Sequence, residues 1–320
     1  MKKNKIKDTG LEVTELSFGT SSLGSMPDTY GYEVPEDRAQ KTLNRFFQGP
    51  VNMLDTSRNY AMGESEKRIG KAIKENGGWP KGFLLSTKLD RNMDTLVLDK
   101  NRARESLEES LKTLNVDSVD ILFLHDPEYA KDITDITKKD GAMDELFKIK
   151  NEGLAKAVGV AMGKVDIMFP LLKDWDFDVV INHNRYTLIN REANEMYDYA
   201  SSKNIAIFNA APYAGGVLAK GPDNFKKVTY QDATEEKLAP AREFEKVCKK
   251  HNVELGAAAL QFSLRDNRIT STICGVTSIE SIEKNLAWAN AEISDEFWKE
   301  ISKLPFSTND PESERVFTPG

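Results

Sequence analysis

The 320-residue chain reads as one domain, a (β/α)8 TIM barrel over residues 1–320 with an N-terminal β-hairpin and a C-terminal extra helix. Three observations predict it. From Leu16 onward, short apolar runs of strand length alternate with longer amphipathic segments, the pattern of a parallel sheet covered by helices. The repeat occurs eight times, and a chain of this length can close such a sheet into a barrel. No linker or shift in composition divides it.

Lys3–Glu15 reads as a hairpin around Asp8-Thr9-Gly10, whose glycine can take positive φ. Strands are expected near Leu16–Gly19, Val51–Leu54, Phe83–Thr87, Val119–Leu124, Ala155–Val160, Val179–Asn182, Ile205–Asn209 and Ser271–Cys274. Helices are expected near 36–48, 64–76, 101–114, 141–152, 164–173, 191–203, 234–250 and 278–289. Three insertions, Asp126–Asp140, Ala210–Asp232 and Asn290–Gly320, fall where long loops shape a pocket. The last holds a short helix around Asp295–Lys303, and disorder is the expectation for the final ten residues.

Hydrophobic content of 39% and charged content of 30% describe a soluble globular protein. A net charge of −7 argues against nucleic acid or an anionic membrane as partner. No apolar stretch approaches the roughly 20 residues of a membrane span. The N-terminus lacks the apolar segment of a secretory signal, so a cytoplasmic location is expected. Cys248 and Cys274 have no metal spacing and read as two buried thiols; with only three histidines, no metal site is expected. Nothing in the pattern fixes the oligomeric state.

Val51–Gly70, VNMLDTSRNYAMGESEKRIG, organises the chemistry. An apolar strand ends on Asp55, a polar loop carries Tyr60, and a helix starts near Ser65. Phe83–Lys88 closes on a lysine and Ile121–His125 on a histidine, so three strands hand ionisable groups to one end of the sheet. A phenol with a reference pKa of about 10 is a poor acid–base catalyst near neutrality. A lysine ammonium ~4 Å away, at an effective dielectric of about 20, would favour the phenolate by about 4 kcal/mol, about three pKa units. Lys88 could supply that field and Asp55 keep it protonated, with His125 as a neutral donor to a reacting oxygen. Such a set suits reversible proton transfer to a carbonyl or alcohol. Each residue alone also fits a structural part: Tyr60 as packing, Lys88 as a solvated strand end, Asp55 as a cap, His125 as a core histidine.

LDTSRNYAMGESEKRIG resembles the signature of the aldo-keto reductases, NAD(P)-dependent (β/α)8 barrels with an Asp–Tyr–Lys–His tetrad. The resemblance continues through Phe83–Lys88, SLEESLKTLNVDSVDILFLHDP, MDELFKIKNEGLAKAVGVAMG and ALQFSLRDNRITSTICGVTSIESIEKN. It covers the chain from Lys5 to about Lys303, including a hairpin that plugs the barrel. It implies catalytic roles for Asp55, Tyr60, Lys88 and His125, and hydride transfer between a nicotinamide and a carbonyl carbon. It implies cofactor contacts from Thr20, Asp55, His183, Asn209, Tyr213, Gly215, Gly216, Leu218, Gly275, Thr277, Ser281, Lys284 and Asn285.

The chain departs from the commoner members. Ala161 and Met162 stand where Ser-Asn usually holds the nicotinamide amide, His183 for a glutamine, and Ala210 for a stacking aromatic. Gly275 and Ser281 stand where cations often pair with the 2′-phosphate of NADP, leaving Thr277, Ser278 and Lys284 nearby. NAD is therefore expected to serve at least as well as NADP. GVAMG, NRYTLINR, the Gly-Gly-Val-Leu-Ala run and ALQFSL resemble the D-threo-aldose 1-dehydrogenase or L-fucose dehydrogenase branch, which oxidises the anomeric carbon of a sugar to a lactone. Ser21, Arg58, Asn184 and Arg185 would suit a polyol, whereas Tyr30, Tyr32, Tyr129 and Tyr213 would line a more general carbonyl site. Two alternatives stay open: a general NADPH-dependent aldehyde or ketone reductase, and a low-turnover, cofactor-binding regulatory barrel. The expected partner is a small carbonyl compound or aldose.

Overall fold

The structure, a computed structural model, describes residues 1–315. A hairpin comes first, β1 (Lys3–Ile6) paired antiparallel with β2 (Leu11–Thr14). Seven parallel strands follow: β3 (Leu16–Gly19), β4 (Met53–Asp55), β5 (Leu84–Leu89), β6 (Val119–His125), β7 (Ala155–Met162), β8 (Val179–His183) and β9 (Ala206–Ala210). After a small hairpin, β10 (Lys227–Val228) and β11 (Gln231–Asp232), the last strand β12 (Ile269–Gly275) pairs with both β9 and β3 and closes the barrel.

Strands buried on both faces carry two sets of side chains with a period of two. On β6, Ile121 and Phe123 fill the interior, whereas Leu122 and Leu124 join the outer core under the helices. Met53, Leu84, Val179, Ile181, Phe208 and Ile273 complete the interior, and Ile6, Leu11 and Val13 of the hairpin join them, so β1–β2 stoppers one end. At Gly159 on β7 a Cβ would sit 1.7 Å from the Val179 carbonyl oxygen, so this strand can approach β8 only with glycine there.

All eight expected helices form, among them Glu64–Glu75, Lys100–Leu114 and Ile279–Ala289. The interval between β9 and β12 departs from strict alternation. Besides Glu235–Lys250 it holds a helix at Leu255–Leu264, which packs on β12 and on Ile279–Ala289. Its sequence, LGAAALQFSL, is buried on nearly every side and so carries no amphipathic stripe to betray it. The extra helix, Asp295–Ile301, packs Phe297 and Ile301 against Leu238, Ala241 and Phe244 of Glu235–Lys250. Cys248 and Cys274 are buried free thiols. Among the described residues no helix is long and apolar enough to cross a membrane.

Candidate active site

The inward-facing rows determine where chemistry can sit. Followed to the strand ends opposite the hairpin, they finish on Asp55 (β4), Lys88 (β5), His125 (β6), Ala161 (β7), His183 (β8), Ala210 (β9) and Gly275 (β12), all of which line one cavity of about 500 Å³. Hydrocarbon gives way to charge on one side of this floor and to small residues on the other.

Lys88 is 1% exposed and spends all three ammonium protons inside the protein. It donates to Asp55 Oδ1 at 2.9 Å, to Asp55 Oδ2 at 2.8 Å and to the Thr56 carbonyl at 2.6 Å. Ser86 adds a hydrogen bond to Asp55 Oδ1 at 2.8 Å. Tyr60 comes from the loop after β4, with the ammonium 4.7 Å from its ring centroid. The next two residues, Ala61 and Met62, are both left-handed at φ 50° and 52°, a conformation that costs L-residues about 1–3 kcal/mol each. The neighbouring loop holds them there: a Cβ on Gly24 would lie 2.6 Å from that of Ala61.

The expectation that Lys88 makes the phenol more acidic is overturned. Burial, then the charges of Asp55 and Asp126, push the Tyr60 hydroxyl well above the usual phenol value. The lysine is neutralised by its carboxylate partner, so little of its field is left for the phenol.

His125 stands edge-on to Tyr60, with ring centroids 5.7 Å apart. Its Nδ1 lies 2.5 Å from Asp90 Oδ1, and Asp90 Oδ2 accepts from Ser57 Oγ at 2.7 Å and from the Asn59 amide at 3.1 Å. Burial works against the Asp90 carboxylate, yet His125, Ser57 and Lys88 hold it below its usual pKa. Burial also disfavours a charged imidazole, but Asp126 and Asp90 outweigh it and raise the His125 pKa. With Nδ1–H committed to Asp90, Nε2 can donate only from the imidazolium. Both observations favour the imidazolium over the neutral donor expected from the sequence. Asp90 escaped the sequence reading, although it lies two residues past Lys88.

The cofactor expectations divide. His183, Tyr213, Gly215, Gly216, Gly275, Thr277, Ser281, Lys284 and Asn285 line the same cavity as Tyr60. Three do not. Thr20 is fully buried behind β4, its hydroxyl donating to the Asp55 carbonyl at 2.9 Å. Asn209 falls on the outward row of β9, where its amide donates to the Tyr186 carbonyl at 2.9 Å and to Ser263 at 2.8 Å. Leu218 is packed into a core with Leu188, Val217 and Leu238. Of those that line the cavity, Ser281 spends its hydroxyl capping the helix Ile279–Ala289, and Asn285 accepts from the Tyr213 hydroxyl at 2.5 Å.

Among the polyol candidates only Ser21 faces the cavity, hydrogen-bonded to Tyr30 at 2.6 Å. Arg58 turns to Glu109 at 3.3 Å. Asn184 and Arg185 serve the C-terminal segment. Arg185, 1% exposed, binds Glu312 at 2.8 Å and Asp310 at 2.6 Å, and Asn184 donates to Glu312 at 2.9 Å. Glu312 is itself 3% exposed, so the expected disorder of the last ten residues is wrong as far as Arg315; residues 316–320 lie outside the described part. A polar tail reads as disordered only while its charges lack partners, and Arg185 supplies one from 127 positions away. Of the remaining wall, Asp126, Lys220, Phe225, Tyr230 and Arg315 come from the three insertions expected to shape a pocket, whereas Met26, Asn59 and Arg91 were not expected.

The Aldo/keto reductase family matches residues 15–305. L-galactose dehydrogenase of Arabidopsis thaliana is 30% identical over 284 residues, covering 88% of this chain and 85% of the plant protein. D-threo-aldose 1-dehydrogenase of a Pseudomonas species is 26% identical over 321 residues, 92% of this chain and 94% of its own. The holo form of an aldo-keto reductase from Bacillus halodurans superposes with a TM-score of 0.79 at 22% identity, over 99% of this chain and 100% of that one. The chain belongs to the aldo/keto reductase family and is an oxidoreductase.

Proposed function

We propose that the protein oxidises the anomeric carbon of an aldose to a lactone, with Asp55, Tyr60, Lys88 and His125 as its catalytic machinery. The observation that carries this reading is the single cavity shared by Tyr60, the Lys88–Asp55 pair and the His125 ring. The family works on small carbonyl compounds with a nicotinamide cofactor. The named activities of the plant and Pseudomonas relatives support a sugar.

The cavity fits such a cofactor. Ala161, Ala210 and Gly275 leave a low floor beside the charged groups, and a Cβ added to Gly275 would meet only Ser22 Oγ, at 3.9 Å. His183 and Tyr213 would border the nicotinamide end, Gly215 and Gly216 the middle, and Thr277 and Lys284 the adenosine end beside the N-terminus of Ile279–Ala289. When bound, the nicotinamide exchanges a hydride with the substrate carbon. Tyr60 exchanges the proton on the substrate oxygen, and imidazolium Nε2 of His125 stabilises charge on that oxygen. Lys88, itself held by Asp55, donates to the loop carbonyl of Thr56 and so keeps the start of the Tyr60 loop in register with β4.

Protonation sets the sign of the pH dependence. Reduction needs Tyr60 and His125 both protonated, so its kcat/KM falls as pH rises through the elevated His125 pKa, while oxidation gains. An Asp90→Asn variant loses the negative charge that supports the imidazolium. Its descending limb for reduction is expected at lower pH than in the parent; an unmoved limb would show that Asp90 does not control the ring.

NAD is favoured over NADP. No arginine lines the adenosine end of the cavity among the described residues; the Lys284 ammonium lies 4.6 Å from the Trp288 ring centroid, and Glu280, held below its usual pKa by Ser278, adds negative charge at the helix start. A panel of aldoses including L-galactose and L-fucose, assayed with both cofactors for lactone formation, tests the whole reading. No turnover of any aldose removes the sugar, and a hundredfold preference for NADP in kcat/KM removes the cofactor choice.

A reductase of simple aldehydes is the second reading. The raised Tyr60 pKa favours it, because a phenol that holds its proton is prepared to donate.

A further inference from the structure

We propose that the outer wall of the cavity binds an oxyanion, so that the preferred substrate carries a carboxylate or phosphate remote from its reacting carbon, held by Arg315. This rests on the reading of the site as one for small carbonyl compounds and narrows it. Arg315 reaches the cavity from the end of the described chain, and its position is built. Glu312 accepts from Arg315 at 2.8 Å through Oε2 and from Arg185 at 2.8 Å through Oε1. The Pro311 carbonyl accepts from Thr229 and Gln231, each at 3.1 Å, which pins the segment to β10–β11.

Anchoring does not need Arg315. The buried Arg185, Asn184 and the hairpin already hold the segment, yet a second guanidinium is carried onto the cavity wall, 5.3 Å from the Tyr230 ring centroid. Arg315 uses one nitrogen on Glu312 and makes no other ion pair among the described residues. On the same wall stands Arg91, whose guanidinium lies 5.6 Å from the Tyr129 ring centroid. Burial, Asp126, Glu128 and Glu312 raise the Tyr129 pKa, and Arg315 opposes them more weakly. Of the cavity's carboxylates, Asp55 is paired with Lys88, and Asp126 stands 3.7 Å from His125 Nε2. With Asp55 taken up by Lys88 and Asp126 facing His125, Arg315 is left to hold the anionic end of a substrate whose carbonyl end points toward Tyr60. A planar guanidinium matches either a carboxylate or a phosphate.

The test compares kcat/KM for reduction of 4-carboxybenzaldehyde and benzaldehyde with NADH, in the parent, Arg315→Gln and Arg315→Lys. The parent is expected to favour the carboxylated aldehyde by about tenfold or more. Arg315→Gln should bring that ratio within about twofold of unity, chiefly through KM, and Arg315→Lys should restore part of it. A parent ratio near one, or a ratio that Arg315→Gln leaves unmoved, overturns the inference. Mere loosening of the C-terminal segment would depress both aldehydes together and leave the ratio unchanged. In the oxidative direction, galacturonate and galactose 6-phosphate against galactose show which oxyanion is preferred. Anion preference with aldehydes but no aldose oxidation leaves this inference standing and removes the sugar reading; aldose oxidation without anion preference does the reverse.

Discussion

A Tyr60→Phe variant should lose roughly 10²–10⁴-fold in kcat in both directions, the range expected when a positioned acid–base group is removed. The substitution deletes one oxygen and leaves the ring where Ala61, Met62 and Gly24 hold it, edge-on to His125. Among the described residues the Tyr60 hydroxyl has no hydrogen-bond partner of its own, so its loss strands no buried donor or acceptor. Nicotinamide binding, followed by quenching of intrinsic fluorescence, should therefore change little. A loss in kcat that is matched by an equal loss of cofactor affinity would point to a packing role. Residual turnover within tenfold of the parent would end the assignment of Tyr60, and a barrel that only binds its cofactor would show no turnover to lose.

Lys88→Met should destabilise the fold by about 3–5 kcal/mol, because it leaves the buried Asp55 carboxyl without its cation. The pair is buried, with side-chain exposures of 1% and 6%, at the floor of the cavity. Replacing both partners by apolar residues of similar volume, as in Asp55→Leu/Lys88→Met, should recover much of that loss, since the interior then holds no unpaired charge. Urea denaturation with the slope held constant measures both. A single-variant loss below about 1 kcal/mol would mean that water reaches Asp55 and that the pair is solvated in solution. The double variant separates two duties of the lysine: stability returns, but turnover does not, because the group that sets the register of the Tyr60 loop is gone.

Much of this architecture was legible in the chain. Strands buried on both faces need continuous apolar runs, and all eight emerged within a few residues of their observed bounds. The four ionisable groups were visible because three of those runs end on one and the fourth lies a few residues on, in a loop before a helix. Asp90 follows the same logic and was overlooked, since the period of two carries the inward row from Lys88 one step further. Asn209 marks the limit of that logic: one residue of register separates a side chain facing the cavity from one facing Tyr186 and Ser263. The helix Leu255–Leu264 came from the resemblance of ALQFSL and not from periodicity, since a helix covered on all sides has no face to distinguish.

What the sequence determined alone is the barrel and the identity of the groups at its open end, because both follow from which residues must avoid water. What only the tertiary structure decided is the electrical state of those groups. The Lys88–Asp55 pair was expected, but burial and the charges of Asp55 and Asp126 raise the Tyr60 pKa instead of lowering it, and Asp126 and Asp90 raise that of His125. The same holds for Arg185, which resembled a substrate contact and proves to be the anchor of Glu312. Local patterns encode burial, because burial depends on the residue's own chemistry. Charge states depend on neighbours brought in from distant parts of the chain, and no spacing rule can see them.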